Sequence, residues 1–345
     1  MLSAARGADI AVTVDHAGGV GDLLDDPYRA RLSTPARAAL EAWLGAARPS
    51  LAPTPGMGAA TLALPGGAEE RPWLESGGAG TLSGVICAPA GGLRPGMPWT
   101  LFFNAGGVRR SGPNRLWTQA ARALAAQGRA SLRLDVRDVG DSDGVIEPYD
   151  DLEAMYSESA VDDALQALEA ARAAGAGDID VVGLCSGAFL GMQVAARRPV
   201  RRAVLFNGLS FIWDDEARAK GMTAHIRGSL FDARRWRRLL TGRIDARALG
   251  RAMLSDGRLR VEAAAARMRG EAAPSPVDRL VQGVRSRGTD LCLVSSAGDP
   301  SLPYLERHVP ADRRPRVVVL DGADHTIRPT WAHPRVLELI SGPDP

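Results

Sequence analysis

Lysine is almost missing from this chain: of its 42 basic residues all but Lys220 are arginine. Against 40 acidic residues the net charge is only +2, so no global field for nucleic acid is expected. The arginine bias, alongside abundant alanine and glycine, reads as base composition of the coding DNA. Cysteine is scarce too. Three residues, Cys87, Cys185 and Cys292, are too few and too scattered for a disulfide framework or a metal site. Cys87 and Cys292 lie in apolar, strand-like runs and read as small buried hydrophobes. No apolar run reaches the roughly 18 residues of a membrane span. The start lacks a basic stretch followed by an apolar one, so no signal peptide is expected. A reduced, cytoplasmic setting is the expectation, and no internal repeat or heptad is visible.

What is present is an ordinary globular balance, 45% apolar and 24% charged in 345 residues. That suffices for one large core with an insertion, or at most two domains. Residues 1–56 form a polar, Gly/Pro-rich extension with one good helix from Thr34, where Pro35 suits the first helical position. Strands are expected at 60–64 and 81–88. From Trp99 strand and helix then alternate: strands at 99–104, 130–136, 179–184 and 202–206, helices at 113–127, 159–174 and 186–197. Such alternation predicts a mostly parallel sheet with helices on both faces. The core covers 57–207, pauses over 208–286 for amphipathic, Arg-rich helical segments that read as a lid, and resumes over 287–345. Strands at 290–295 and 316–320 and a helix near 330–340 complete it.

Within Asp178–Gly191 a β-branched run ends in Gly183-x-Cys185-x-Gly187 and passes straight into a helical pattern. This is the pattern of a sharp strand-to-helix turn that lifts one side chain above a sheet, with flanking glycines where a Cβ would collide. Cys185 is the candidate nucleophile, with Ser186 as an alternative in a shifted register. A nucleophile needs a base and the base an orienting acid. Among five histidines only His325 directly follows an expected core strand, in Gly322-Ala-Asp-His325. Asp299, in the Gly-Asp-Pro turn after strand 290–295, is the candidate acid, with Asp321 and Asp324 as competitors. Two N–H groups should hold the developing oxyanion. One is that of Ser186; the other belongs to Gly106 or Gly107, in the turn after strand 99–104.

These residues resemble the α/β-hydrolase superfamily over about 57–345. The run Ala130–Gly144 looks like the strand and Gly-rich turn found before the elbow in many members. More narrowly, Asn104–Arg115 and Gly183–Gly191 are similar to bacterial serine-aminopeptidase-like and exosortase-associated hydrolases, some of which accompany polyketide or peptide assembly lines. The resemblance implies an α/β-hydrolase fold, acyl-transfer chemistry and a possible place in natural-product biosynthesis. The departure is Cys185, where most members carry serine, as in dienelactone hydrolases and some thioesterases.

A thiolate at Cys185 would sit at a helix N-terminus, where the dipole favours an anion, and an imidazolium at His325 would favour it further. Its acyl-Cys intermediate keeps the group-transfer potential of a thioester, so water, a hydroxyl or an amine can take the acyl group. No cofactor is expected. The substrate would be an acyl ester or thioester, and Phe211, Trp213 and Met222 either line its pocket or pack as core against the sheet. Between Asp214 and Arg285 sixteen Arg plus Lys face nine Asp plus Glu, densest at Arg234–Arg238. Either this docks an acyl-carrier protein or coenzyme A phosphates, or it is a solvated helix face. Neither nucleic acid nor a membrane is an expected partner. Two other readings stand beside the enzyme: a non-catalytic ligand-binding protein of the same fold, and a small-lactone hydrolase similar to dienelactone hydrolases.

Overall fold

A computed structural model describes residues 34–46, 61–77, 80–144, 155–213 and 274–342. Helix α1 (Thr34–Ala46) stands where the extension's helix was expected. Met222, the Arg234–Arg238 cluster and most of the expected lid lie outside the described residues.

The core is a nine-stranded sheet made of β1 (Leu62–Leu64), β2 (Ala68–Gly77), β3 (Gly80–Pro89), β4 (Trp99–Phe103), β5 (Ala130–Asp135), β6 (Ile179–Leu184), β7 (Arg202–Phe206), β8 (Asp290–Ser296) and β9 (Arg316–Leu320). Their spatial order is β1-β2-β3-β5-β4-β6-β7-β8-β9. The ladders among β1, β2 and β3, and between β3 and β5, are antiparallel; all others are parallel. Strands covered on both faces read as unbroken apolar runs, and Trp99–Phe103 and Ile179–Leu184 are buried throughout. Along them side chains alternate between two cores. Leu101, Phe103, Val181 and Leu205 face one core, and Phe102, Val182, Leu184 and Phe206 face the other.

Helices α3 (Glu158–Ala173), α4 (Ser186–Arg197), α5 (Pro276–Ser286) and α6 (Ser301–His308) cover the first face; α2 (Leu116–Ala126) and α7 (His333–Ser341) cover the second. Ser157 caps α3, its hydroxyl accepting from Ala160 N–H at 3.1 Å. Ser275 caps α5 in the same way, with Pro276 at the first helical position. Because Val277, Val281 and Val284 are buried, α5 is a core helix, and the core resumes before residue 287.

Two differences from the sequence reading have clear physical causes. Strand β2 was not expected, since Glu69-Glu-Arg-Pro72 is poor in β-formers. Its Glu70 carboxylate is instead held by Arg122 of α2 at 3.0 Å and Arg133 of β5 at 2.8 Å, and Pro72 lies beyond the Ala68–Glu70 segment that β1 covers, where a strand tolerates proline. The helix expected from Pro113 begins only at Leu116. Asn114 (φ 46°) and Arg115 (φ 64°) are left-handed, and Asn114 Nδ2 donates to the Arg328 carbonyl at 2.6 Å. Among the described residues no helix is long and apolar enough to cross a membrane.

Candidate active site

The parallel strands all end on one edge of the sheet, and the turns that leave β4, β6, β7, β8 and β9 there bring the candidate residues together. Cys185 follows β6 with φ 57° and ψ −116°. An L-residue adopts that conformation only when its surroundings impose it, at a cost of about 1–3 kcal/mol. The surroundings are visible. A Cβ on Gly183 would strike the Gly187 carbonyl, and one on Gly187 would come within 2.5 Å of the Asn104 carbonyl oxygen. The strained apex is therefore Cys185 and not Ser186, which is the first residue of α4 and buried. The Ser186 hydroxyl oxygen accepts the Gly106 N–H at 2.7 Å.

Asp299, buried after β8, accepts from His325 Nδ1 at 2.6 Å through Oδ2 and from Ser301 N–H at 2.9 Å through Oδ1. Burial works against its charge, but these two donors hold the carboxyl below the usual carboxylate range. Burial also opposes a charged His325 ring. The Asp299 hydrogen bond first, and the adjacent Cys185 sulfur second, outweigh that and raise the imidazole to about 10. Nε2, on the far side of the ring from Asp299, is buried and has no hydrogen bond of ordinary geometry among the described residues. The competing acids are accounted for: Asp324 turns into its own loop, accepting Arg328 N–H at 2.9 Å and lying 3.3 Å from the Arg328 guanidinium, and Asp321 is exposed. His333 is buried in the second core against the Ile327 carbonyl, at 3.2 Å.

The other two thiols are unlike Cys185. Burial, then the Glu70 charge, pushes Cys87 up to about 11, and burial also raises Cys292. Both are fully buried, whereas Cys185 is half-buried.

The loop after β4 is held from beneath. Asn104 Nδ2 donates to the Val108 carbonyl at 2.9 Å and to Asp135 at 3.1 Å, and Asn104 Oδ1 accepts Val136 N–H at 2.9 Å. Asp135, fully buried at the end of β5, also takes the Arg110 N–H at 2.6 Å and pairs with the Arg110 guanidinium. Asn207, after β7 with φ 48°, was not singled out from the sequence. Its amide donates to the His325 carbonyl at 2.7 Å and to Ser296 Oγ at 2.9 Å, while its oxygen accepts Ser296 N–H at 2.7 Å. An Asn-Gly pair signals a turn locally and carries no sign of such a tether.

Of the expected wall residues, Phe211 turns into the core. It is 3% exposed and packs edge-on to Tyr304, with centroids 6.0 Å apart. Trp213 stacks on Tyr156, centroids 4.1 Å apart and planes 8° from parallel.

A sheet of this order, an elbow after β6, an acid after β8 and a histidine after β9 define an α/β-hydrolase fold. Residues 85–338 match the alpha/beta hydrolase family, and the chain belongs to it. Solved structures are similar to the chain at low identity. A cold-adapted esterase from an Arctic intertidal metagenomic library is 14% identical with a TM-score of 0.50, covering 83% of this chain and 98% of its own. The thioesterase domain of the curacin biosynthetic pathway is 14% identical (TM-score 0.48; 79% and 99% covered). An alpha-beta serine hydrolase homologue from Coxiella burnetii is 15% identical (TM-score 0.46; 78% and 95%). No curated protein matches the sequence.

Proposed function

We propose that this protein is a cysteine-nucleophile acyl-transfer enzyme, acting on an ester or thioester through an acyl-Cys185 intermediate. The observation that carries the reading is a strained cysteine, φ 57°, beside an imidazole anchored at 2.6 Å to a buried carboxylate.

In this reading His325 and Cys185 rest as an imidazolium–thiolate pair. The sulfur attacks the acyl carbonyl carbon, and the carbonyl π electrons move to oxygen. That oxyanion is held by the Ser186 N–H and one N–H of the Gly106-Gly107 turn. As the tetrahedral intermediate collapses, the bond to the leaving group breaks and His325 Nε2 supplies its proton. Acylation discharges the sulfur, so the ring loses one of the two supports that keep it protonated and becomes available as a base. It then takes a proton from water, a hydroxyl or an amine as that group attacks the acyl-Cys thioester, which regenerates the resting pair. Asp299 keeps Nδ1 engaged so that Nε2 faces the chemistry throughout. Because a thioester intermediate passes its acyl group to amines and hydroxyls more readily than an ester does, transfer or cyclisation fits this cysteine at least as well as hydrolysis. Three free thiols suit the reducing cytoplasm we assign to it.

Intact-protein mass spectrometry after incubation with N-acetylcysteamine acyl thioesters tests the reading. An acyl adduct should form, vanish in Cys185→Ala, and form about 10²–10⁴-fold more slowly in Asp299→Asn. A folded native chain that acquires no adduct from any thioester or activated ester would instead be a ligand-binding member of the family.

A further inference from the structure

Ser186 carries more than a backbone N–H beside the nucleophile. Its side chain is buried, 3% exposed, and its oxygen sits between two parts of the loop after β4. It accepts the Gly106 N–H at 2.7 Å, and its hydroxyl points to the Asn104 carbonyl at 3.5 Å. The turn it grips is tight: Val108 N–H closes on the Ala105 carbonyl at 3.0 Å with Gly106 at φ 54°. An N–H already committed to a hydroxyl at 2.7 Å is a poor donor to a second acceptor, since one hydrogen cannot meet two oxygens at good angles. The next N–H in the turn, that of Gly107, has no acceptor among the described residues and lies at an exposed glycine.

We propose that Ser186 is a positioning residue whose hydroxyl oxygen clamps the Ala105–Val108 turn to the elbow through the Gly106 N–H, leaving the Gly107 N–H as the turn's donor to the oxyanion. This assignment rests on the acyl-transfer reading and deepens it, choosing between two glycines that the sequence leaves equivalent. The side chain suits the task. Alanine or glycine offers no acceptor, and the direct approach of α4 to the end of β4, where the Gly187 backbone meets the Asn104 carbonyl, leaves little depth for a longer one. Because the clamp acts on where the oxyanion is held and not on the sulfur, it should govern reactions that pass through a tetrahedral oxyanion and spare those that do not.

The full-length chain tests this with two probes of one sulfur. p-Nitrophenyl acetate acylates Cys185 through an oxyanion, and iodoacetamide alkylates it by direct displacement without one. In Ser186→Ala, acylation kcat should fall at least ~10-fold, since a displaced donor costs part of the 10²–10³ lost when one is removed, with KM and the alkylation rate within about twofold of native. Ser186→Thr, which keeps the oxygen, should recover most of the lost kcat. Acylation within twofold of native in Ser186→Ala would overturn the proposal. So would a parallel fall in alkylation, which would place the effect on the thiol. Hydrogen exchange gives a readout that needs no activity: the Gly106 amide should be protected in the native chain and lose protection in Ser186→Ala, and a freely exchanging native Gly106 amide also overturns the clamp. A native chain that alkylates at Cys185 and shows the protected amide, yet takes no acyl group, would remove the acyl-transfer reading and leave the contact standing.

Discussion

Cys87, Cys185 and Cys292 have the same side chain and two different fates, set by what surrounds each sulfur. Burial against apolar strands raises Cys87 and Cys292 and keeps them as thiols, while Cys185 meets an imidazole and a helix N-terminus. The same interaction should be visible in stability. His325 is raised from about 6.5 to about 10 in the folded chain, so its pairing stabilises the fold fully below about 6.5 and the contribution is lost as pH rises toward 10. The unfolding free energies of native and His325→Gln chains, measured by denaturant titration, should therefore lie furthest apart near pH 6 and converge by pH 10. A gap that widens with pH would contradict the charged pair.

At the scale of elements, the site consists of turns on the ends of strands, and their positions depend on the atoms that tie one turn to another. Asn207 ties two of them, holding the β8 exit through Ser296 and the histidine loop through the His325 carbonyl. Asn207→Ala would leave a buried N–H and a carbonyl without partners and free the loop that carries His325. A loss of ~3 kcal/mol in stability is expected from the orphaned groups. A fall of at least ~10-fold in acylation kcat, measured well below the melting temperature, should accompany it because the proposed base, His325, would be displaced. Native acylation kinetics in a merely less stable protein would show that the histidine loop needs no such tether. Ile327, two residues beyond His325, is fully buried with φ 52°. A β-branched residue rarely accepts that conformation, so this loop too is held against its local preference by packing.

For the whole molecule, the parallel sheet separates the candidate active site from an anchoring cluster. The strands' C-terminal edge carries Cys185, Asp299 and His325, and the opposite edge carries a buried charged cluster. There Asp180 receives Arg129 at 2.5 Å and Arg201 at 2.5 and 2.9 Å. Arg202 donates to the carbonyls of Leu339 and Ile340, the latter at 2.7 Å, and Arg129 to that of Ser341 at 3.0 Å, so two buried arginines fasten the end of α7 to the sheet. Arg202→Met should cost about 2–3 kcal/mol by leaving those carbonyls unpaired and should deprotect α7 amides in hydrogen exchange. Iodoacetamide alkylation of Cys185 in the folded state should stay native, and a slowed reaction would mean that the two edges communicate. Sequence alone determined the alternation of strand and helix, the Gly183-x-Cys185-x-Gly187 turn and the turns after strands that carry Asp299 and His325, because their signals are local: periodicity and turn chemistry act within a few residues, as the Gly187 carbonyl does on a Cβ at Gly183. Strand β2, the left-handed break before α2, the inward turn of Phe211, the Asn207 tether and the grip of Ser186 on Gly106 were decided only by the tertiary structure. Each depends on a partner far along the chain, as Glu70 does on Arg122 and Arg133 and Asn114 on Arg328, and no local preference encodes a contact whose two halves meet only after folding.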